Sequence, residues 1–147
     1  MKPKDIRPAV ISLYFNFQLH HNRHTFLTDK LPKRKIMLKV RFFKTENGAE
    51  PVRDWLKDLS IVDKKIIGCD IKTVQYSFPI GKPLVASLGN GLWEIRSRIT
   101  DDIARVIFVE YHSELILLHG FIKKTQKTPI HDINLAISRK NKLINTK

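Results

Sequence analysis

The feature that most constrains the fold is a series of four strand-like runs in the second half of the chain, joined by very short connections. The runs span residues 84–88, 92–99, 104–111 and 115–121, and the connections are Gly89-Asn90-Gly91, Thr100-Asp101-Asp102 and His112-Ser113-Glu114. Connections of this length join antiparallel neighbours, because a crossover between parallel strands needs about a dozen residues or more. This part of the sequence therefore predicts an antiparallel meander.

Strand and helix patterns on both sides of the meander complete the fold prediction. Residues 38–43 alternate apolar and basic side chains, which is typical of a strand with one buried face. Pro51 suits a first helical turn, Ser60 can cap a second helix that ends near residues 78–81, and residues 132–140 predict a last helix. The order predicts an α+β domain, in which a helical hairpin packs on a curved, mainly antiparallel sheet with a C-terminal helix.

The second predicted helix contains the single cysteine of the chain. Ile66, Ile67, Ile71 and Val74 recur at helical spacing, and we expect them to face the core with Cys69 among them as a small buried hydrophobic residue. One cysteine cannot form an intramolecular disulfide, and it excludes a zinc site built from several cysteines.

Charge is the strongest signal in the composition. In 147 residues, 27 Lys and Arg oppose 14 Asp and Glu, so the formal net charge is +13. Such a balance predicts a polyanionic partner, either nucleic acid or an acidic surface. The length fits one domain, and no apolar run approaches the roughly 20 residues of a membrane span. We therefore expect a soluble, cytoplasmic protein that does not bind membranes.

Residues 1–36 differ from residues 37–147. They hold eight basic and two acidic side chains, and their apolar stretch at residues 9–17 is interrupted and lacks a small-residue cleavage site. We expect residues 1–36 to be a flexible basic extension. Alternatively, the start codon is assigned too early and translation begins at Met37. His20, His21 and His24 lack a Cys or carboxylate at ligand spacing, so no metal site is expected.

Basic residues cluster on one face of the predicted meander. Alternation places Arg96 and Arg98 on the same face of one run, and Arg105 faces the same side from the next run. Three lysines (Lys123, Lys124 and Lys127) follow the last run, at the rim of the sheet. A solvated face is the simpler interpretation, but like charges gathered in a groove favour an anionic ligand, and arginine binds phosphate with two parallel hydrogen bonds.

This face could also catalyse RNA cleavage by internal transfer. Arginine can stabilise charge on the phosphorus, and His119 could transfer a proton near neutral pH, although a histidine at a strand end is more often structural. The sequence has no paired acidic cluster for two metal ions, no Walker-type loop and no GxSxG motif.

Three segments of the chain resemble RelE-superfamily toxins, specifically the HigB-like, phage-derived branch of type II toxin–antitoxin systems. They are Gly91-Leu92-Trp93-Glu94-Ile95-Arg96, Ala104-Arg105-Val106-Ile107-Phe108 and the run from Leu117 to Pro129. The similarity covers residues 38–142, and the HGF-x-KKT-x-KTP run is its most specific motif.

The resemblance implies a RelE-like fold and a metal-independent mRNA interferase, without a cofactor, that cuts messages on the ribosome. It also implies a cognate helix-turn-helix antitoxin, HigA-like, with operator DNA bound only through the complex. By this resemblance Arg105 is the main transition-state stabiliser, and the other catalytic candidates are Arg98, Lys123, Lys124 and His119. The candidates for RNA binding are Arg96, Lys127 and Arg41. His131 is a second candidate for proton transfer, so the general base stays unassigned. The alternative is a non-catalytic basic module that binds nucleic acid or a partner.

Overall fold

The computed structural model describes residues 36–146. The elements are β1 (Lys39–Phe42), α1 (Pro51–Lys57), α2 (Ile61–Ser77), β2 (Val85–Gly89), β3 (Leu92–Arg98), β4 (Ile103–Tyr111), β5 (Glu114–Ile122) and α3 (Ile130–Asn145). The α+β prediction is confirmed, and α3 is longer than the predicted 132–140. The expectations for the extension and for His20, His21 and His24 lie outside the described residues.

The five strands form one sheet in the order β1-β5-β4-β3-β2. The meander is antiparallel throughout, as its short turns predict, whereas β1 pairs with β5 in parallel. β1 can be parallel because the two helices and the rest of the sheet separate it from β5 in sequence. Between β4 and β5 the register shifts at Ile107 and Phe108, so Leu118 is the extra residue of a bulge beside His119.

Apolar side chains on both faces of the sheet are covered by helices. On one face, Ile67 and Val74 of α2 join a buried cluster with Ile95, Val106 and Phe108 of the sheet. On the other face, Ala136 of α3 belongs to a second buried cluster on the strands. Because both faces are partly buried, β4 and β5 read as nearly continuous apolar runs. None of the helices in the described part of the chain is long and apolar enough to cross a membrane.

The start of α2 holds the turn between β3 and β4 in place. Ser60 caps the helix, as its position predicts, by accepting a hydrogen bond of 3.1 Å from the Asp63 amide. Asp63 then accepts hydrogen bonds from the amide (3.0 Å) and the hydroxyl (2.7 Å) of Thr100. The bond from the Thr100 amide is the main reason why the pKa of Asp63 is lowered. These contacts fix the turn between β3 and β4, and the residues of this turn line an open cleft.

The prediction that Cys69 is a buried residue is wrong, because its side chain is exposed. Ile67 and Ile71 are both buried, and each lies two positions from Cys69. Two residues along an α-helix correspond to a rotation of about 200°, which places Cys69 on the opposite side.

Gly120, in the His-Gly-Phe part of the signature motif, has a packing explanation. A Cβ atom at this position would overlap the indole ring of Trp55, which packs on β5 from α1. Glycine is thus required for the close approach of α1 to the sheet.

Candidate functional site

The predicted arginine face agrees with the strand register. Arg96 of β3 lies directly opposite Arg105 of β4, and Arg98 lies opposite Ile103. Directly opposed residues of antiparallel strands point to the same side of the sheet, so the three arginines share one face. The segment after β5 reaches the same end of the sheet, because the Lys123 amide donates a hydrogen bond of 2.7 Å to the Ile103 carbonyl. We call residues 123–127 the lysine segment.

A buried carboxylate binds two of the three predicted residues. Glu94 is completely buried, and its Oε1 accepts a hydrogen bond of 2.8 Å from Arg96 Nε. Its Oε2 lies 3.1 Å from Arg105 Nη1 and also accepts a hydrogen bond from the Thr128 hydroxyl. The same Arg105 Nη1 donates to Thr128, and Nη2 donates to the Gln126 carbonyl at 3.1 Å. The result is a closed cluster of Glu94, Arg96, Arg105 and Thr128, which we call the glutamate cluster.

The position of Arg105 differs from the open groove expected from the sequence. Its side chain is only 3% exposed, and its Nε is buried without a hydrogen-bond partner within residues 36–146. The physical reason is Glu94: a buried carboxylate is costly unless nearby donors compensate it, and Arg105 is the cation on the neighbouring strand. In this conformation Arg105 contacts protein groups and is closed to a ligand.

Sequence reasoning missed Glu94 and Thr128 as members of the site. The alternation along residues 92–98 places Glu94 on the same face as Arg96 and Arg98. An acid among arginines and apolar residues is a signal for an internal ion pair. Thr128 belongs to the signature motif, but a single threonine in a loop carries no signal of its own.

Arg98, Lys123 and Lys124 line one open cleft of about 580 Å³. Gln126 of the lysine segment and the carboxylates Asp101 and Asp102 line it as well. Lys124 Nζ lies 3.9 Å from Asp102 Oδ2, and the two side chains are 76% and 42% exposed. Such an exposed pair is weak and is screened by salt, so Lys124 can exchange Asp102 for another anion at little cost.

Two of the predicted RNA-binding residues, Arg41 and Lys127, do not line the cleft. Arg41 lies on the edge strand β1, separated from β3 by two strands, and its Nε pairs with Glu114 Oε2 at 2.9 Å. Lys127 belongs to the lysine segment and is exposed, but it does not line the cleft.

His119 has a contact at each ring nitrogen. Nε2 lies 2.7 Å from Asp132 Oδ1, and Nδ1 lies 3.4 Å from Arg139 Nη1. Arginine can only donate, so Nδ1 must accept and Nε2 must carry the proton that it donates to Asp132. Burial lowers the pKa of His119, and Asp132 opposes this shift. The geometry thus fixes a neutral imidazole that joins β5 to α3, with both ring nitrogens engaged.

His131, the other candidate for proton transfer, is 79% exposed at the start of α3, with Nε2 3.2 Å from Asp132 Oδ2.

Across residues 36–146, no group of three or more His, Cys, Asp or Glu side chains is arranged to hold a metal ion.

Comparison with protein families gives a match over most of the described domain. The model of the family described as phage-derived protein Gp49-like (DUF891) matches residues 54–141, which include the cleft and the glutamate cluster. Comparison with curated proteins finds no match.

Proposed function

This chain belongs to the phage-derived Gp49-like family, and from this premise we propose that it is the toxin of a type II toxin–antitoxin system. The family consists of RelE-like and toxin-like proteins. In the proposed function the protein is a HigB-like mRNA endoribonuclease of the cytoplasm. It cuts messages on the ribosome without a metal ion, and a HigA-like helix-turn-helix antitoxin inhibits it. Operator DNA is bound only through the antitoxin complex.

The observation that carries this proposal is the convergence of Arg98, Lys123 and Lys124 on one open cleft. These residues come from the end of β3 and from the segment after β5. Two separate parts of the chain thus bring three basic side chains to one cleft, where they outnumber the two carboxylates Asp101 and Asp102. Phosphate is the natural ligand of such a site, because arginine binds it with two hydrogen bonds while lysine supplies a mobile charge.

In the proposed function the cleft and the glutamate cluster have different roles. We assign the contact with the scissile phosphate to Arg98, and we assign Lys123 or Lys124 to charge neutralisation at the leaving oxygen. Arg96 uses Nε to contact Glu94 and is 35% exposed, so its terminal nitrogens can bind an RNA phosphate. We assign a structural role to Arg105, which bonds to Glu94, Thr128 and Gln126.

The proposal is tested with translating ribosomes and mapping of the 5′ ends of cleaved messages. We expect Arg98→Ala to reduce the cleavage rate by roughly 10²–10³-fold, because it removes one preorganised charge from the site. Arg53→Ala is the matched control, since Arg53 is a half-exposed arginine of α1 that pairs with Glu50. Equal cleavage by Arg98→Ala and Arg53→Ala would exclude the assigned role of Arg98. An absence of cleavage by the wild type would exclude the nuclease function.

A second candidate function is a non-catalytic module that binds RNA or a partner. Two observations favour it: Arg105 is closed within the glutamate cluster, and both ring nitrogens of His119 are engaged. Such a module binds ribosomes and slows growth without producing new 5′ ends. A reading frame for a small helix-turn-helix protein beside the gene would support the toxin–antitoxin assignment over a module of another system.

A further inference from the structure

We infer that Thr128 is a positioning residue, whose hydroxyl latches the lysine segment to the sheet and so keeps Lys123 and Lys124 in the cleft. The inference deepens the proposed function and rests on it for the identity of the bound anion as RNA phosphate. It concerns a residue outside the cleft that acts through other side chains.

The hydrogen-bonding capacity of the Thr128 hydroxyl matches this role. A hydroxyl has one donor and two acceptor positions. Thr128 donates to Glu94 Oε2 on β3 and accepts from Arg105 Nη1 on β4. One side chain thus joins the end of the lysine segment to two central strands. Both partners are buried and Thr128 is partly buried, so these hydrogen bonds are partly shielded from competing water.

The lysine segment itself offers little else to hold it. Residues 124–127 are exposed, and the Thr125 hydroxyl bonds within the segment, to the Lys127 carbonyl at 2.7 Å. The first anchor on the sheet is the Lys123 amide on the Ile103 carbonyl. The second anchor is formed by the Gln126 carbonyl and the Thr128 hydroxyl, both on Arg105.

Loss of the Thr128 hydroxyl weakens the second anchor and has a predictable consequence. Without this hydroxyl the segment is still held by the Lys123 amide, by the Gln126 carbonyl on Arg105 and by α3, which begins at Ile130. The residues between these contacts can then sample more conformations, and RNA must order them during binding. Lys123 and Lys124 would also spend less time in the cleft beside Arg98. The affinity for RNA and its dependence on salt should therefore fall together, whereas the strands and helices stay folded.

The test compares Thr128→Val, which keeps the shape and removes the hydroxyl, with Thr128→Ser, which keeps the hydroxyl. Thr73→Val is the matched control, because the Thr73 hydroxyl bonds to the Cys69 carbonyl within α2 at 2.9 Å. The probe is a short single-stranded RNA with 2′-O-methyl riboses, which cannot be cut by internal transfer. Its dissociation constant is measured as a function of salt concentration.

For Thr128→Val we expect a dissociation constant about tenfold higher than that of the wild type. A tenfold change corresponds to about 1.4 kcal/mol of binding free energy. The slope of log affinity against log salt should shrink by about 0.7 for each phosphate that a lysine no longer neutralises. Thr128→Ser and Thr73→Val should match the wild type in both respects. A wild-type affinity and slope in Thr128→Val would overturn the inference, as would equal reductions in Thr73→Val. Should Thr128→Val fail to fold by circular dichroism, Thr128→Ala replaces it under the same criteria.

Native-state trypsin digestion gives a readout that does not depend on RNA. Residues 124–127 are already exposed, so the rate of cutting depends on how often the segment leaves its hydrogen-bonded conformation. Thr128→Val should therefore be cut after Lys123, Lys124 and Lys127 about tenfold faster than the wild type. Thr128→Ser should be cut at the wild-type rate. If the wild type binds no RNA, the proposed function fails and this digestion alone decides the inference. Equal cutting of wild type and Thr128→Val would then refute the latch.

Discussion

At the scale of single residues, the completely buried carboxylate of Glu94 determines how the neighbouring arginines can be used. It takes Arg105 out of contact with solvent and leaves Arg96 partly exposed, although the two lie opposite each other on β3 and β4. Arg98 is two residues further along β3 and remains open to the cleft. Three arginines that look alike in the sequence therefore have three different surroundings.

These surroundings predict different effects on stability for two arginine substitutions. Arg105→Ala leaves Glu94 buried with one donor fewer, so we expect the free energy of unfolding to fall by about 3–5 kcal/mol. Arg98→Ala removes an exposed side chain and should change it by less than about 0.5 kcal/mol. Urea denaturation of the two variants measures both values. If the free energy of unfolding falls only slightly in both variants, Arg105 is open to solvent in solution. Arg105 would then be the candidate for the phosphate contact, as the resemblance implies.

At the scale of elements, α3 is fixed to β5 by a chain of polar contacts. His119 contacts Asp132 and Arg139, and Arg139 donates a hydrogen bond of 2.7 Å to the Leu118 carbonyl. The His119 ring also stacks on Phe121, with ring centroids 5.4 Å apart. Both ring nitrogens of His119 have partners, and Phe121 packs against the ring. These contacts give His119 a structural role in joining β5 to α3.

The lowered pKa of His119 predicts a pH dependence of stability. Folding favours the neutral ring because burial disfavours its charge. As the pH falls below about 6.5, the unfolded chain takes up a proton before the folded chain does. The free energy of unfolding should therefore be highest above about pH 6.5 and decrease as the pH falls toward the lower pKa of the folded state.

Urea denaturation at a series of pH values measures this dependence in His119→Gln and His131→Gln. The decrease in stability on acidification should be smaller in His119→Gln than in the wild type. His131→Gln is the control, because its ring is exposed while it shares the partner Asp132. An identical pH dependence in the wild type and His119→Gln would contradict a partly buried, neutral ring at this position.

Local sequence patterns predict the elements well and their surroundings poorly. The turns of the meander and the Ser60 cap are each encoded within a few residues. These local signals are sufficient to predict the antiparallel pairing and the start of α2. The parallel pairing of β1 with β5 joins segments far apart in sequence, so no local pattern encodes it. Burial of Glu94 and Arg105 has the same origin, because only the packing of distant segments, the lysine segment among them, decides which charges are enclosed.

At the scale of the whole molecule, a formal net charge of +13 favours binding of any polyanion, RNA included, without the need for a particular site. Such attraction accounts for binding without a defined site, so affinity alone cannot locate the RNA. The contribution of a particular lysine to the salt dependence is more informative, because each neutralised phosphate adds to the slope separately.

Lys124→Ala and Lys57→Ala separate a localised site from general attraction. Each variant lowers the net charge by one, and both side chains are well exposed, at 76% and 68%. Lys124 lines the cleft, whereas Lys57 lies at the end of α1 and pairs with Asp54 at 3.5 Å. If RNA lies in the cleft, Lys124→Ala should reduce the salt slope by about 0.7 and Lys57→Ala should leave it unchanged. Equal changes in the slope would show that net charge, and not the cleft, holds the RNA, because a diffuse field does not distinguish one exposed lysine from another.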